Sequence, residues 1–143
     1  MNHKRKIMNL ILFAHKDASK KGVIFKSIIE QQFKENKIQI FQTFNAFKSR
    51  LKQVSIYDKE IFILLADSKK RLNELTSLIN LLESKRIILI LSDDSKATIH
   101  IAHQFLSRYF TYINDTYDDL CAVLKKMMHQ EKININQKNK GGN

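Results

Sequence analysis

Three stretches of this 143-residue chain close apolar runs with side chains able to do chemistry: His15-Lys16-Asp17, then Asp67, then Ser92-Asp93. A carboxylate such as Asp67 can act as a nucleophile toward a phosphoryl group, share a hard cation with a second acid, or pair with a basic side chain. Ser92 offers a hydroxyl, while His15 and Lys16 bring an imidazole and an ammonium to the end of the first apolar run. No glycine-rich phosphate loop accompanies these groups, so nucleotide binding of the P-loop or dinucleotide kind has no support. HKDASKKG places hydroxyl and cationic groups at an expected helix N-terminus, where an anion can sit, yet it lacks the dense Ser/Thr pattern of flavodoxins. His100 and His103 have the i, i+3 spacing of a helical metal pair without a third ligand in reach, which places them on a helix exterior.

The elements that must position these groups are read from hydrophobic periodicity. EIFILLAD, residues 60–67, is a continuous apolar run too short for a membrane span, as expected of a central strand buried on both faces. Residues 6–14 and the run IILIL, 87–91, read the same way. Lys37 to Phe44 alternates in part, which suits a strand near the sheet edge, and YFTYI, 109–113, makes a fifth strand.

Helices are expected between the strands. The first covers about residues 19–35, capped by Asp17 or Ser19, with Val23, Ile24, Ile28, Ile29 and Phe33 inward and Gly22 a weak point near its start. Asn45 is expected to cap a short helix, 46–52, that carries Phe47, Leu51 and Val54 inward. Ser68 opens a helix running to about Ser84 on a stripe of Leu72, Leu75, Leu78, Ile79 and Leu82. Ser95 begins another, with Ile99, Ile101, Ala102, Phe105 and Leu106 on its inner side. Asn114, Asp115 and Thr116 turn the chain into a last helix built on Tyr117, Leu120, Cys121, Leu124, Met127 and Met128. Strands alternating with helices five times specify an open parallel sheet covered on both faces. With the purest apolar strands in the middle, the expected fold is α/β, flavodoxin-like, a (βα)5 doubly wound sheet of order 2-1-3-4-5.

The chain is expected to be one domain, residues 7–131, with a basic leader at 1–6 and a flexible tail at 132–143. The basic start and the apolar run from Ile7 to Ala14 superficially resemble a signal peptide, but Asn9 interrupts the run and no small-residue cleavage site follows, so a first strand is the better reading. The one cysteine, Cys121, cannot form an internal disulfide, which agrees with a reducing cytoplasm; on an apolar helix face it reads as a core residue. A net charge of +11 raises the possibility of nucleic-acid binding. Six of those charges come from Lys4, Arg5, Lys6, Lys132, Lys138 and Lys140 in the two termini, which leaves a much weaker excess on the body of the chain.

Across about residues 7–130 the chain resembles the receiver domains of bacterial response regulators. ILFAHKDASKK stands where receivers have an apolar strand, a run of acids and a helix start. EIFILLAD matches the strand of the phosphoacceptor aspartate, IILILS the strand ending in Ser or Thr, and RYFTYINDTYDDLCAVL the strand with a switch aromatic and the last helix. The resemblance implies that Asp67 matches the phosphoacceptor, Ser92 the phosphoryl-contacting hydroxyl and Phe110 the switch aromatic. The departures are several. His15 and Lys16 occupy the positions of the Mg²⁺-binding acids, beside Asp17. Asp93 stands where a small residue is usual, and Ile113 with Asn114 where Lys-Pro would stand.

Attack by a carboxylate on a phosphoryl group is a like-charge encounter that a divalent cation offsets. Imidazole and ammonium in place of two acids remove that cation's ligands. The expectation is therefore a pseudo-receiver that is no enzyme, takes no cofactor or metal, and works by protein binding. Lys16 either pairs with Asp67 in the metal's stead or points into solvent. The partner would be another signalling protein or domain, or a second copy, met through the fourth helix, fifth strand and fifth helix. That face includes Arg108, Tyr109, Tyr112, Asp118, Asp119, Lys125 and Lys126. Two alternatives stay open: a working phosphoacceptor at Asp67 that uses Asp17 with Asp93 or Asp94, and a nucleic-acid-binding module driven by the basic termini. No run is long enough to span a membrane.

Overall fold

The computed structural model describes residues 9–34, 36–53, 59–107, 109–113 and 118–128. Five parallel strands form one sheet of order β2-β1-β3-β4-β5: β1 (Asn9–Phe13), β2 (Lys37–Phe41), β3 (Glu60–Ala66), β4 (Arg86–Leu91) and β5 (Tyr109–Tyr112). The expected order and class hold. Strands β1, β3 and β4 are sequestered on both faces because, after their first residues Asn9, Glu60 and Arg86, they are apolar at every position rather than at alternate ones, as an interior parallel strand requires. At roughly 2 kcal/mol for each fully buried aliphatic side chain, these three strands supply the largest share of the driving force.

One face of the sheet packs Leu10, Leu12, Ile61, Ile63, Ile88 and Ile90 against helix α1 (Ser19–Gln32) and the last helix, α6, residues 118–128. The other face packs Phe13, Phe62, Leu64, Leu89 and Leu91 against α2 (Phe44–Lys52), α3 (Lys69–Thr76), α4 (Ile79–Leu82) and α5 (Lys96–Ala102). Cys121 is buried in the first of these layers, and burial pushes its thiol pKa up, which fits an inert core residue.

Several expectations about the helices are corrected. α1 ends at Gln32, and neither Asp17 nor Ser19 caps it: Asp17 lies in a 3-10 turn, Lys16–Ala18, and the N-cap is Ala18 without a side-chain bond. Its buried face is Phe25, Ile29 and Phe33, whereas Val23 and Ile24 are 60% and 42% exposed. The reason is Gly22. A Cβ there would come within 2.7 Å of Ala14 Cβ, so the glycine is what lets α1 approach β1, and that contact sets the helix rotation.

Thr43, not Asn45, caps α2, its Oγ1 accepting the Ala46 N–H at 3.2 Å. Val54 lies outside the described residues. The single helix expected from Ser68 to Ser84 is two, because Thr76 and Ser77 donate their hydroxyls back to the carbonyls of Asn73 and Glu74 at 2.6 and 2.8 Å, and the backbone tightens at Leu78. Ser68 and Ser95 do cap α3 and α5 as expected. Leu106, expected inward, is 80% exposed in the left-handed conformation that stops the helix ahead of β5.

Candidate functional site

Parallel strands deliver their carboxyl ends to one edge, and there the expected groups converge. Asp17, Lys20, Lys21, Asp67, Ser92 and Ile113 line one open cleft of about 430 Å³. Asp67 follows the last residue of β3 and stands just ahead of the Ser68 cap. This places its carboxylate at the N-terminal end of α3, where the helix dipole presents its positive pole. Ile113 is held there by its N–H donating to Leu91 O at 2.8 Å.

The cation beside Asp67 is Arg71, a residue the sequence reading did not single out. Its Nε donates to Asp67 Oδ1 at 3.2 Å, its Nη1 donates to Glu74 Oε2 at 3.0 Å, and its Nη2 stands 3.5 Å from Asp17 Oδ2. The Arg71 side chain is 11% exposed while Asp67, Glu74 and Asp17 are 20%, 38% and 70% exposed, so the Asp67 pair is the least screened of the three. The signal was present in the spacing: Asp67 and Arg71 are i, i+4 across a helix start, acid before base, the favourable order. Lys16, by contrast, is exposed in the 3-10 turn and makes no ion pair among the described residues.

His15 does not enter the cleft lining. Its Nδ1 accepts the Asp17 N–H at 3.1 Å and its ring meets Phe13 edge-on, which makes it a support for the turn that carries Asp17. Ser92 donates its hydroxyl to Asp93 Oδ2 at 3.2 Å. Asp93 closes a local turn: the Ser95 hydroxyl and then its N–H, at 2.9 Å, hold the Asp93 carboxyl down at about 2. Phe110 is half-buried against the His103 ring, 5.4 Å between centroids.

Residues of the expected interaction face divide. Tyr109 packs on the α1 side of the sheet and Tyr112 on the α5 side, both half-buried, and Lys126 Nζ lies 5.8 Å over the Tyr109 ring. Asp118, Asp119, Lys125 and Lys126 are exposed, and Arg108 and Asn114 lie outside the described residues.

No family model matches this chain, and no curated protein matches it. Solved structures do. A CheY-like response regulator protein from Mesorhizobium loti is 11% identical, with 84% of this chain and 98% of that one covered and a TM-score of 0.63. The signal receiver domain of an HD-domain-containing protein from Pseudomonas fluorescens Pf-5 is 12% identical over 96% of this chain and 97% of that one, at a TM-score of 0.58. The fold is that of a receiver domain. Asp67 and Ser92 both line the cleft at the carboxyl ends of the strands.

Receivers imply a Mg²⁺ ion at this edge, and the donor set here does not fit one. Mg²⁺ asks for oxygen ligands, one or two of them carboxylates, in a strict octahedron. The two carboxylates within reach, Asp17 and Asp67, are bridged by one guanidinium, and no group of three or more His, Cys, Asp or Glu among the described residues is arranged to hold a metal. Among the described residues, no helix is long and apolar enough to cross a membrane.

Proposed function

We propose that this chain is an atypical receiver, a signalling domain that acts by binding another protein without Mg²⁺-dependent phosphorylation of its aspartate. The observation that carries this reading is Arg71 between Asp67 and Asp17. In a phosphorylatable site, a divalent ion offsets the repulsion between carboxylate and phosphoryl group and neutralises the charge on the transferred group. Here a covalently tethered cation holds both carboxylates in advance. A phosphoryl donor that reached Asp67 would have to displace the Arg71 bond, and it would find apolar Ile113 lining the cleft.

On this reading the domain is no enzyme, takes no cofactor and works in the cytoplasm. Its partner is another signalling protein or a second copy, met through the α5–β5–α6 side that carries Asp118, Asp119, Lys125 and Lys126. The test is incubation with acetyl phosphate or beryllofluoride in Mg²⁺, followed by intact-mass measurement and amide NMR. The expected outcome is an unchanged mass and unmoved Asp67 and Ser92 resonances. A phosphoryl mass increment mapped to Asp67 sinks the reading in favour of a working phosphoacceptor.

A further inference from the structure

The sheet ends in two edge strands that are guarded differently. β5 is four residues long, and Lys126 lies over its Tyr109, a charged cover of the kind that blunts an edge. β2 runs five residues in unbroken register with β1 and has no bulge. No residue from Ile38 to Phe47 is charged, and the chain has no proline to interrupt the strand. Phe41 O accepts the Ala14 N–H, which turns the Phe41 backbone groups toward β1. Strand alternation turns those of Lys37 and Gln39 the same way, and those of Ile38 and Ile40 outward. The side chains of Ile38, Ile40 and Phe41 are only half-buried, whereas every residue of β1 is buried. Among the described residues no strand lies beyond β2.

We propose that β2 is a self-association edge, at which two copies of this chain pair β2 with β2 in antiparallel fashion and make one continuous sheet. Register decides the occupant. A pair centred on Gln39 sets Ile38 of each copy opposite the partner's Ile40, so the outward N–H and C=O groups of both residues meet as hydrogen-bonded pairs. Ile38 and Ile40 pack on the α1 layer, so they also cover one another across the junction on that face. The same register sets each Lys37 opposite the partner's Phe41. It holds the two lysines about 14 Å apart, beyond the screening length of about 8 Å at physiological salt. A nucleic-acid backbone would ask for a row of cations, and β2 carries one, at its end. A charged peptide would likewise meet no opposite charge between Ile38 and Phe41. This inference goes beyond the reading given above, since it uses neither the cleft nor the α5–β5–α6 side.

The test uses the full chain without phosphodonor or metal, so its failure is separable from failure of the phosphorylation test. Sedimentation equilibrium is expected to show a monomer–dimer equilibrium. The net charge of +11 opposes self-association, so the dimer is expected to strengthen as salt rises. Amide exchange at Ile38 and Ile40 is expected to slow as the chain is concentrated, while that of Gln39, already turned toward β1, stays constant. Gln39→Cys puts two thiols on the two-fold axis with Cα atoms about 4.5 Å apart, within disulfide reach. Under mild oxidation it is expected to cross-link at least about tenfold faster than Lys37→Cys, whose paired Cα atoms are too distant. Both positions are exposed, Arg50 keeps Glu60 when Gln39 is replaced, the native Cys121 is buried, and an amide spectrum checks each variant's fold. The proposal is overturned if the chain stays monomeric at millimolar concentration, or if Lys37→Cys cross-links as fast as Gln39→Cys. It is also overturned if the dimer dissociates on raising salt, or if its exchange protection falls on α5, β5 and α6 instead of on Ile38 and Ile40.

Discussion

Both ends of the sheet pair an arginine with carboxylate, and they differ in how much water reaches them. At the amino edge, Arg50 of α2 pairs with Glu60 of β3, its Nε donates to Gln39 Oε1 at 3.3 Å, and Asn9 Nδ2 donates to Glu60 at 3.2 Å. Both charged side chains there are less than a tenth exposed. At the carboxyl edge Arg71 is as sheltered, but its acids are not: Asp67 is 20% and Asp17 70% exposed. The same ion-pair chemistry therefore serves two ends. Where both charges are desolvated, the pair ties three strands and a helix together. Where one side is open to solvent, it sets the charge of a cleft.

That contrast can be broken experimentally. Glu60→Ala leaves the Arg50 guanidinium buried without its carboxylate and is expected to cost about 3–5 kcal/mol in urea unfolding. Replacing both, Arg50→Met with Glu60→Leu, should restore much of that loss, because well-packed apolar groups tolerate this site better than a lone charge.

At the other edge the largest effect is steric. Gly22→Ala forces α1 away from Ala14 and is expected to cost about 1–3 kcal/mol, read as a lowered melting temperature. Arg71→Ala sharpens the comparison further. It should cost less than about 1 kcal/mol, because solvent reaches its partners, yet it frees Asp67 and Asp17 together. Mg²⁺-dependent shifts at Asp67 and Ser92, absent in the native chain, are then expected in amide NMR.

The smallest effect is Asp93. Its folded pKa is depressed to about 2, below its ordinary value, so the carboxylate's contribution is present above about pH 4 and is lost as pH falls through 2. Asp93→Asn should lower stability slightly at neutral pH, flatten the acid limb in that window and leave the two proteins alike at about pH 2 and below. A native Asp93 carboxyl titrating near pH 4 by NMR would contradict this.

The architecture was legible because it depends on long apolar runs: residues 60–66 and 86–91 admit no reading but interior strands, and their ends had to bring Asp67 and Ser92 together. Less legible was anything fixed by contacts between elements. Apolar counting along α1 chose Val23 and Ile24, whereas the rotation is set by a glycine against Ala14, a contact with no periodic signal. Arg71 was missed for a different reason. The first loop offers Lys16 as a cation, whereas the four-residue spacing across the Ser68 cap is what points to Arg71 beside Asp67.

The short length of α3 reaches beyond its own turn. Eight residues cannot persist as a helix in water by themselves, so Leu72 and Leu75, seated on the sheet, are what keep it wound. The position of the guanidinium is thus a gauge of how firmly that layer is packed. Hydrogen exchange along residues 69–76 should track the occupancy of the Asp67 contact, slowing and quickening with it.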